Sequence, residues 1–198
     1  MKDIITNQFK NPTGILGKLA GKIMAYENEE LYEWTFEQLS ITPNDTLLEV
    51  GFGPGEGMHL LFEKVPTVQI DGVDPSEEMV KDTSKRNEEK LKKKQLRLFK
   101  GTVLEIPNPM IYDKIYSVNS YPLWENQEAC IQKIYSLLKE RGILSITVQP
   151  RQDEATEEQA HAYAEEIKEV LKNTGFTSIK VQTKPIKPCL SINVTATK

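Results

Sequence analysis

Glu49-Val50-Gly51-Phe52-Gly53-Pro54-Gly55 is the stretch that decides the fold of this chain. Leu47 and Leu48 precede it, so an aliphatic strand runs straight into a turn with a glycine at every second position, and Gly57 follows. Glycines let a backbone turn sharply and approach a ligand with no Cβ in the way. A helix that starts just after such a turn offers unpaired N–H groups at its first turn. Strand, glycine turn and helix in that order mark the carboxyl edge of an open α/β sheet, where such sheets bind their ligands.

The rest of the chain fits that reading. Short aliphatic runs at Thr46–Val50, Val68–Asp74, Gln95–Lys100, Tyr112–Asn119, Ile143–Gln149, Phe176–Val181 and Ser191–Thr197 read as seven strands, each bounded by Gly, Pro, Asn or Asp. Helical patterns fall between them at Gly55–Lys64, Ser76–Leu91, Glu125–Glu140 and Thr156–Asn173, with Gly142 and Gly175 as stops. The second helix is read with Asp74-Pro75-Ser76-Glu77 as its cap and Pro in its first turn. Alternation of this kind predicts an α/β, Rossmann-like open sheet of seven strands, mostly parallel, with helices on both faces. Only Gln182–Leu190 separates the last two strands, too short for a crossover helix, so the last strand should be antiparallel. Ahead of the first strand, Gly14 to Leu39 reads as helical. Residues 1–40 are therefore expected to form an N-terminal helical cover, and 41–198 the binding domain itself.

Composition narrows the classes. With 198 residues, 38% hydrophobic and 27% charged, one ordinary globular domain is expected. A formal net charge of -4 argues against non-specific attraction to nucleic acid or an anionic membrane. No apolar run approaches the ~20 residues of a membrane span, and the N-terminus lacks the apolar stretch of a signal peptide. Cys130 and Cys189 have no partners at metal spacing and read as buried thiols, so a cytoplasmic location and no metal are expected.

Glycine spacing discriminates between nucleotide ligands. In the dinucleotide fingerprint G-x-G-x-x-G, the third glycine falls on Glu56, Met58 or Leu60 for the frames beginning at Gly51, Gly53 and Gly55, so all three fail. A glutamate in the first helical turn would also repel a pyrophosphate. No G-K-[ST] follows, which removes a phosphate loop. Asp74 closes the second strand, where an acid can accept hydrogen bonds from both hydroxyls of a ribose. Its bland alternative is a helix cap.

The residues then resemble a family. Glu49-Val-Gly51-Phe-Gly53-Pro-Gly55 looks like the first motif, acidic-x-G-x-G-x-G, of class I S-adenosylmethionine-dependent methyltransferases. Asp71-Gly-Val-Asp74-Pro-Ser76-Glu-Glu-Met79 resembles the second. Ile115-Tyr-Ser-Val-Asn119-Ser-Tyr121-Pro-Leu-Trp124 resembles the fourth strand of the branch with quinone- and sterol-methylating enzymes, and Arg141-Gly142-Ile143-Leu144 and Thr174-Gly175-Phe176 resemble later strand starts. The resemblance implies S-adenosylmethionine as cofactor and methyl transfer to a small-molecule acceptor. It implies that Gly51, Gly53 and Gly55 pass under the methionine part, with Glu49 helping to hold its ammonium group. Asp74 would bind the ribose, Pro75 and Met79 would pack on the adenine, and Asn119 would floor the sulfonium. After the third strand the family often has Gly-Asp-Ala. Here Gly101-Thr102-Val103 stands instead, so Thr102 offers a hydroxyl and Val103 a backbone N–H.

A sulfonium methyl is already activated, so positioning can supply up to ~7–11 kcal/mol of the barrier. A general base is needed only where the acceptor must lose a proton before attack. No residue announces itself as that base. His59 and His161 read as packed or surface histidines. Tyr121 and Trp124 after the fourth strand, with Tyr26 and Asn28 in the cover, are the candidates for the acceptor pocket, and the Pro150–Thr156 loop should complete it. Eight basic residues between Lys81 and Arg97 read as a solvated face, since no aromatic interleaves them. The rival function is an inactive, cofactor-binding accessory protein.

Overall fold

The computed structural model describes residues 28–150 and 155–198. Its first described helix, α1, occupies 28–39, the C-terminal part of the expected cover. Seven strands follow: β1 (Thr46–Val50), β2 (Gln69–Asp74), β3 (Leu96–Lys100), β4 (Tyr112–Val118), β5 (Leu138–Val148), β6 (Thr177–Ile186) and β7 (Cys189–Thr197). The helices between them are α2 (Glu56–Lys64), α3 (Glu77–Arg86), α4 (Glu88–Lys92), α5 (Gln127–Leu137) and α6 (Glu157–Thr174).

The strands form one sheet in the order β3-β2-β1-β4-β5-β7-β6. Pairs from β3 through β5 are parallel, and β7 is antiparallel to both β5 and β6. The fold is thus the Rossmann-like α/β sheet with an antiparallel last strand. Alternation along each strand builds two cores. Leu48, Val50, Ile115, Leu144, Ile146 and Val148 face α5 and α6. Leu47, Ile70, Tyr116 and Val118 face α1 and α2, with Met79, Val80 and Leu91 packed at the margin. Glu49 shares this second face with Leu47, so the strand period itself aims a carboxylate at the cover helix.

Four local expectations are corrected. The helix expected over Ser76–Leu91 breaks at Asn87, whose Nδ2 donates to the Thr83 carbonyl and competes with the helix backbone. Pro75 stands ahead of its cap rather than in its first turn, because Ser76 is the N-cap and accepts the Met79 N–H. The helix expected to run to Glu140 ends at Leu137, and β5 begins at once, its polar Lys139-Glu140-Arg141 exposed and therefore unlike a strand in sequence. Most of the expected loop Gln182–Leu190 is strand: β6 is the sheet edge, where Pro185 needs no ladder hydrogen bond. Cys130 is buried, but Cys189 is only half-buried, with its Sγ donating to the Pro150 carbonyl at 3.1 Å. The α6 signals act as read, with Thr156 capping the start and Gly175 (φ 106°) the end.

Candidate functional site

The glycine turn lies at the carboxyl end of β1, between β2 on one side and β4 on the other, where the strand order reverses. Gly51, Gly53 and Gly55 have φ of 78°, 50° and 78°, left-handed values that cost other residues roughly 1–2 kcal/mol each. Their surroundings differ. A Cβ on Gly51 would overlap the Ser120 side chain, whereas one on Gly53 would meet no atom of the described residues within 4 Å. Gly51 is needed to pack the turn; Gly53 keeps an open space above it.

Asp74 at the end of β2 shapes that space. Its Oδ2 accepts the Gly53 N–H at 2.8 Å, and its Oδ1 accepts the Ser76 N–H at 2.9 Å. One carboxylate therefore ties the glycine turn to the start of α3, and each oxygen keeps a further lone pair. Burial pushes its pKa up, while the Ser76 and Gly53 amides pull it back. At the tip of α2, Glu56 is paired with Arg86 at 2.7 Å, which sets an acid where a pyrophosphate would need helix N–H groups.

Glu49 is sealed beneath the turn, with 0% of its surface exposed. Tyr116, its cross-strand neighbour on β4, donates to Oε2 at 2.9 Å, and Tyr32 of α1 donates to Oε1 at 3.0 Å. Burial raises its pKa to about 8, against the pull of the two hydroxyls, with Asp74 adding to the rise. Tyr32, which the sequence reading passed over, thus joins the cover helix to the floor of the turn. It packs with Trp34 and Phe36 in the core on this face of the sheet.

At the end of β3 the Gly101 N–H donates to the Asp74 carbonyl at 3.0 Å. Thr102 is exposed, while the Val103 side chain is buried in the core, leaving only its backbone to face the site. Pro75 is exposed and Met79 half-buried, both beside Asp74 on the approach to α3.

Asn119 follows β4 with φ 58°, a left-handed value that Asn tolerates better than most residues. Its Nδ2 donates to Asn28 Oδ1 at 2.9 Å, and its Oδ1 accepts the Gln149 N–H at 2.8 Å. The structure therefore brings Asn28 and Asn119 together across the cover and the sheet. Ser120 lies beneath Gly51: it donates to the Val50 carbonyl and accepts from Trp124 Nε1 at 3.2 Å. Nothing in the sequence marked Ser120, because a serine beside a glycine turn is common in any loop. Trp124 reaches the underside of the turn in this way. Tyr121 packs its ring against Trp124, with centroids 5.1 Å apart, and is 0% exposed within the α5–α6 core; its Oη donates to Glu166 of α6 at 3.0 Å. Tyr26 lies outside the described residues, as do residues 151–154 of the expected pocket loop.

The remaining candidates lie elsewhere. His59 is exposed and 3.5 Å from Glu63, and His161 is exposed on α6. Much of the basic run is ion-paired: Lys81 to Glu77, Arg86 to Glu56, Lys92 to Glu88 and Arg97 to Asp71. No helix among the described residues is long and apolar enough to cross a membrane.

Comparison with known proteins places this geometry. The profile of the family described as "Methyltransferase domain" matches residues 41–188. The chain is 41% identical over 181 residues to the uncharacterized methyltransferase YdaC of Bacillus subtilis, covering 91% of this chain and 98% of that protein. Among solved structures, an S-adenosylmethionine-dependent methyltransferase from Aquifex aeolicus superposes with a TM-score of 0.67 at 20% identity, over 84% of this chain and 88% of that one. The [4+2]-cyclase SpnF superposes with a TM-score of 0.71 at 16% identity, over 85% and 80%. By family match and by fold, the chain belongs to the class I S-adenosylmethionine-dependent methyltransferases.

Proposed function

We propose that this protein moves a methyl group from S-adenosylmethionine to a small-molecule acceptor by in-line displacement, in the cytoplasm, with residues 1–40 as a cover of the same domain. The observation that carries the donor half is the Gly53–Asp74 arrangement: an open space over a left-handed glycine, fixed by a carboxylate with lone pairs to spare. The donor fits these residues. Gly51, Gly53 and Gly55 would hold its methionine part and Asp74 would accept from its ribose hydroxyls. Pro75, Met79, Thr102 and Val103 would border its adenine. A zwitterionic, phosphate-free donor also suits the Glu56–Arg86 pair at the helix tip.

When bound, the donor supplies a methyl group on a sulfonium that leaves as a neutral thioether. The chain's own residues then have two tasks. Glu49, buried below the turn, supplies negative charge under the donor's ammonium group, and its ionisation is favoured by that cation. Asn119, held by Asn28 and Gln149, forms a rigid polar floor between cover and sheet. An acceptor held in line with the methyl–sulfur bond would take the methyl group, and the electrons of that bond would pass to sulfur. Asn28, Trp124 and the cover enclose the acceptor side. Alignment and exclusion of water by these groups supply the rate, in keeping with the absence of a buried base beside Asn119 among the described residues.

Incubation of the purified protein with donor carrying a tritiated methyl group and a small-molecule extract tests the reading. Label in a dialysable product is expected. Donor binding without transfer to any fraction of the extract points instead to a cofactor-binding accessory protein.

A further inference from the structure

The carboxyl end of β5 carries a buried amide with one end unused. Gln149 follows β5 directly, and only 3% of its surface is exposed. Its Nε2 has four acceptors within reach, all on the β6–β7 hairpin: the Ile186 carbonyl at 2.7 Å, the Lys187 and Cys189 carbonyls at 3.2 Å each, and Ser191 Oγ at 3.0 Å. Its Oε1 is buried and has no hydrogen-bond partner among the described residues. Three carbonyls crowd one end of the side chain and fix that end as the nitrogen, so the orphan is an acceptor. A buried acceptor is costly to leave unpaired.

β5 lies between β4 and β7, so the hairpin is on one side of Gln149 and Asn119 on the other. With Nε2 clamped to the hairpin, the planar side chain turns Oε1 away from it, toward the Asn119 side. Asn119 Oδ1 accepts the Gln149 N–H at 2.8 Å and keeps a second lone pair. The orphan therefore belongs to the acceptor side of the site, beside the Asn28–Asn119 contact from the cover helix. Asn193 Oδ1 is also buried and unpartnered among the described residues, but its setting differs. Asn193 pairs with Thr147, below Gln149 on the strand, and its Nδ2 joins the Thr147–Thr35 contact that seats α1.

Amide oxygens only accept, so the group that fits them brings a proton. A thiol attacks as the thiolate, which has none. A hydroxyl that donates its one proton must also shed it, and an amide oxygen is too weak a base to take it. A neutral primary or secondary amine meets both demands: an N–H donates while the lone pair stays free.

We propose that Gln149 is a specificity-determining residue of the acceptor pocket, its Oε1 accepting a hydrogen bond from a primary or secondary amine that is the methyl acceptor. The inference rests on the donor reading above. The amine nitrogen forms a bond to the methyl carbon, and the electrons of the carbon–sulfur bond pass to sulfur. The methylated product leaves as an ammonium ion that gives its proton to water. Gln149 takes no proton at any point; it holds the amine by an N–H so that the lone pair faces the methyl group.

A small-molecule extract divided into halves tests this. One half is acetylated with acetic anhydride and then treated with hydroxylamine to free esters and thioesters, so that primary and secondary amines alone stay blocked. Each half is incubated with the intact protein and donor carrying a tritiated methyl group. Label is expected in the untreated half and not in the acetylated one. Equal labelling overturns the proposal and leaves the donor reading standing, because hydroxyls, thiols, carbon acceptors and tertiary amines survive the treatment. Gln149→Met removes the oxygen and should lower transfer to the untreated half by ~10–100-fold, with S-adenosylhomocysteine affinity unchanged. Gln149→Glu keeps an accepting oxygen and, protonated where it is buried, a donor for the hairpin, so it should recover most of the transfer. Ser191→Ala loosens the clamp but leaves Oε1 in place, and should keep transfer. A residue that only clamped the hairpin would make transfer follow the denaturation midpoint across all three variants, and that result overturns the proposal too. Donor binding with label in neither half does the same and points to the accessory protein. Failure of the intact protein to bind S-adenosylhomocysteine sinks the donor reading itself and the proposal with it.

Discussion

The two ends of the ligand-binding edge are built from different materials. At the exits of β1 and β2, main-chain atoms make the site: left-handed glycines, an open space over Gly53, and two amides on Asp74. At the exits of β4 and β5, side chains make it: Asn28, Asn119, Ser120 and Trp124, with one amide from Gln149. A site built from backbone demands particular residues at particular spacings, since only glycine adopts such φ values without strain. A site built from side chains can be met by many combinations, which leaves it free to change with the acceptor.

Gly51→Ala is the change that should break this contrast hardest. The added methyl overlaps Ser120, where the two ends touch, and it sits at a left-handed φ. Overpacking and backbone strain together should cost about 2–5 kcal/mol, read as a drop in the denaturation midpoint. Gly53→Ala has strain without overlap, so it should lose only about 1–2 kcal/mol of stability while its methyl enters the donor space and weakens S-adenosylhomocysteine binding by at least ~10-fold. Equal stability losses in the two variants would mean that the turn has no division between packing and binding glycines.

Asp74→Ala comes next. It leaves the Gly53 and Ser76 amides unpaired, at about 1–3 kcal/mol each if they stay dry, and removes the ribose acceptor. Donor affinity by calorimetry should fall ~100-fold or more, with circular dichroism unchanged. Asn119 allows a smaller, finer cut. Asn119→Gly keeps the left-handed φ and loses the bridge to Asn28 and Gln149, while Asn119→Ala loses the bridge and adds strain. The alanine variant should be the less stable by roughly 1 kcal/mol.

The smallest effect is in pH dependence. Glu49 and Asp74 both have pKa values raised by burial, Glu49 from 4.5 to about 8. The folded state therefore holds more protons than the unfolded chain across that window, so stability contributed by these groups is full below pH 4.5 and declines as pH rises toward 8. Glu49→Gln should flatten the slope of the denaturation midpoint between pH 5 and 8. Tyr32→Phe removes one hydroxyl from Glu49 and should steepen it, since a carboxylate with one partner is costlier to bury.

The same division explains what could be read from sequence. Seven strands, the antiparallel last strand, and the placing of the glycine turn and Asp74 at the carboxyl edge of the sheet follow from glycine spacing, alternation and the acid at a strand end, all of them local backbone constraints. The extension of β6 to Ile186 was hidden because an exposed edge strand carries Lys and Pro as a loop does. The break at Asn87 was hidden because a side chain competes for a helical carbonyl only once the helix exists. The hydroxyl of Tyr121 finds Glu166 on another helix, a partner 45 residues away that no local pattern announces. Tyr32 and Ser120 were missed for the same reason: each acts through a contact that only the folded sheet creates.

Titration of the purified chain with S-adenosylhomocysteine and, separately, with NAD tests the central claim most directly. Saturable one-to-one binding of S-adenosylhomocysteine, lost in Gly53→Val and in Asp74→Ala, with no heat from NAD, is the predicted result. Binding of NAD in place of S-adenosylhomocysteine, or undiminished binding in both variants, would contradict it.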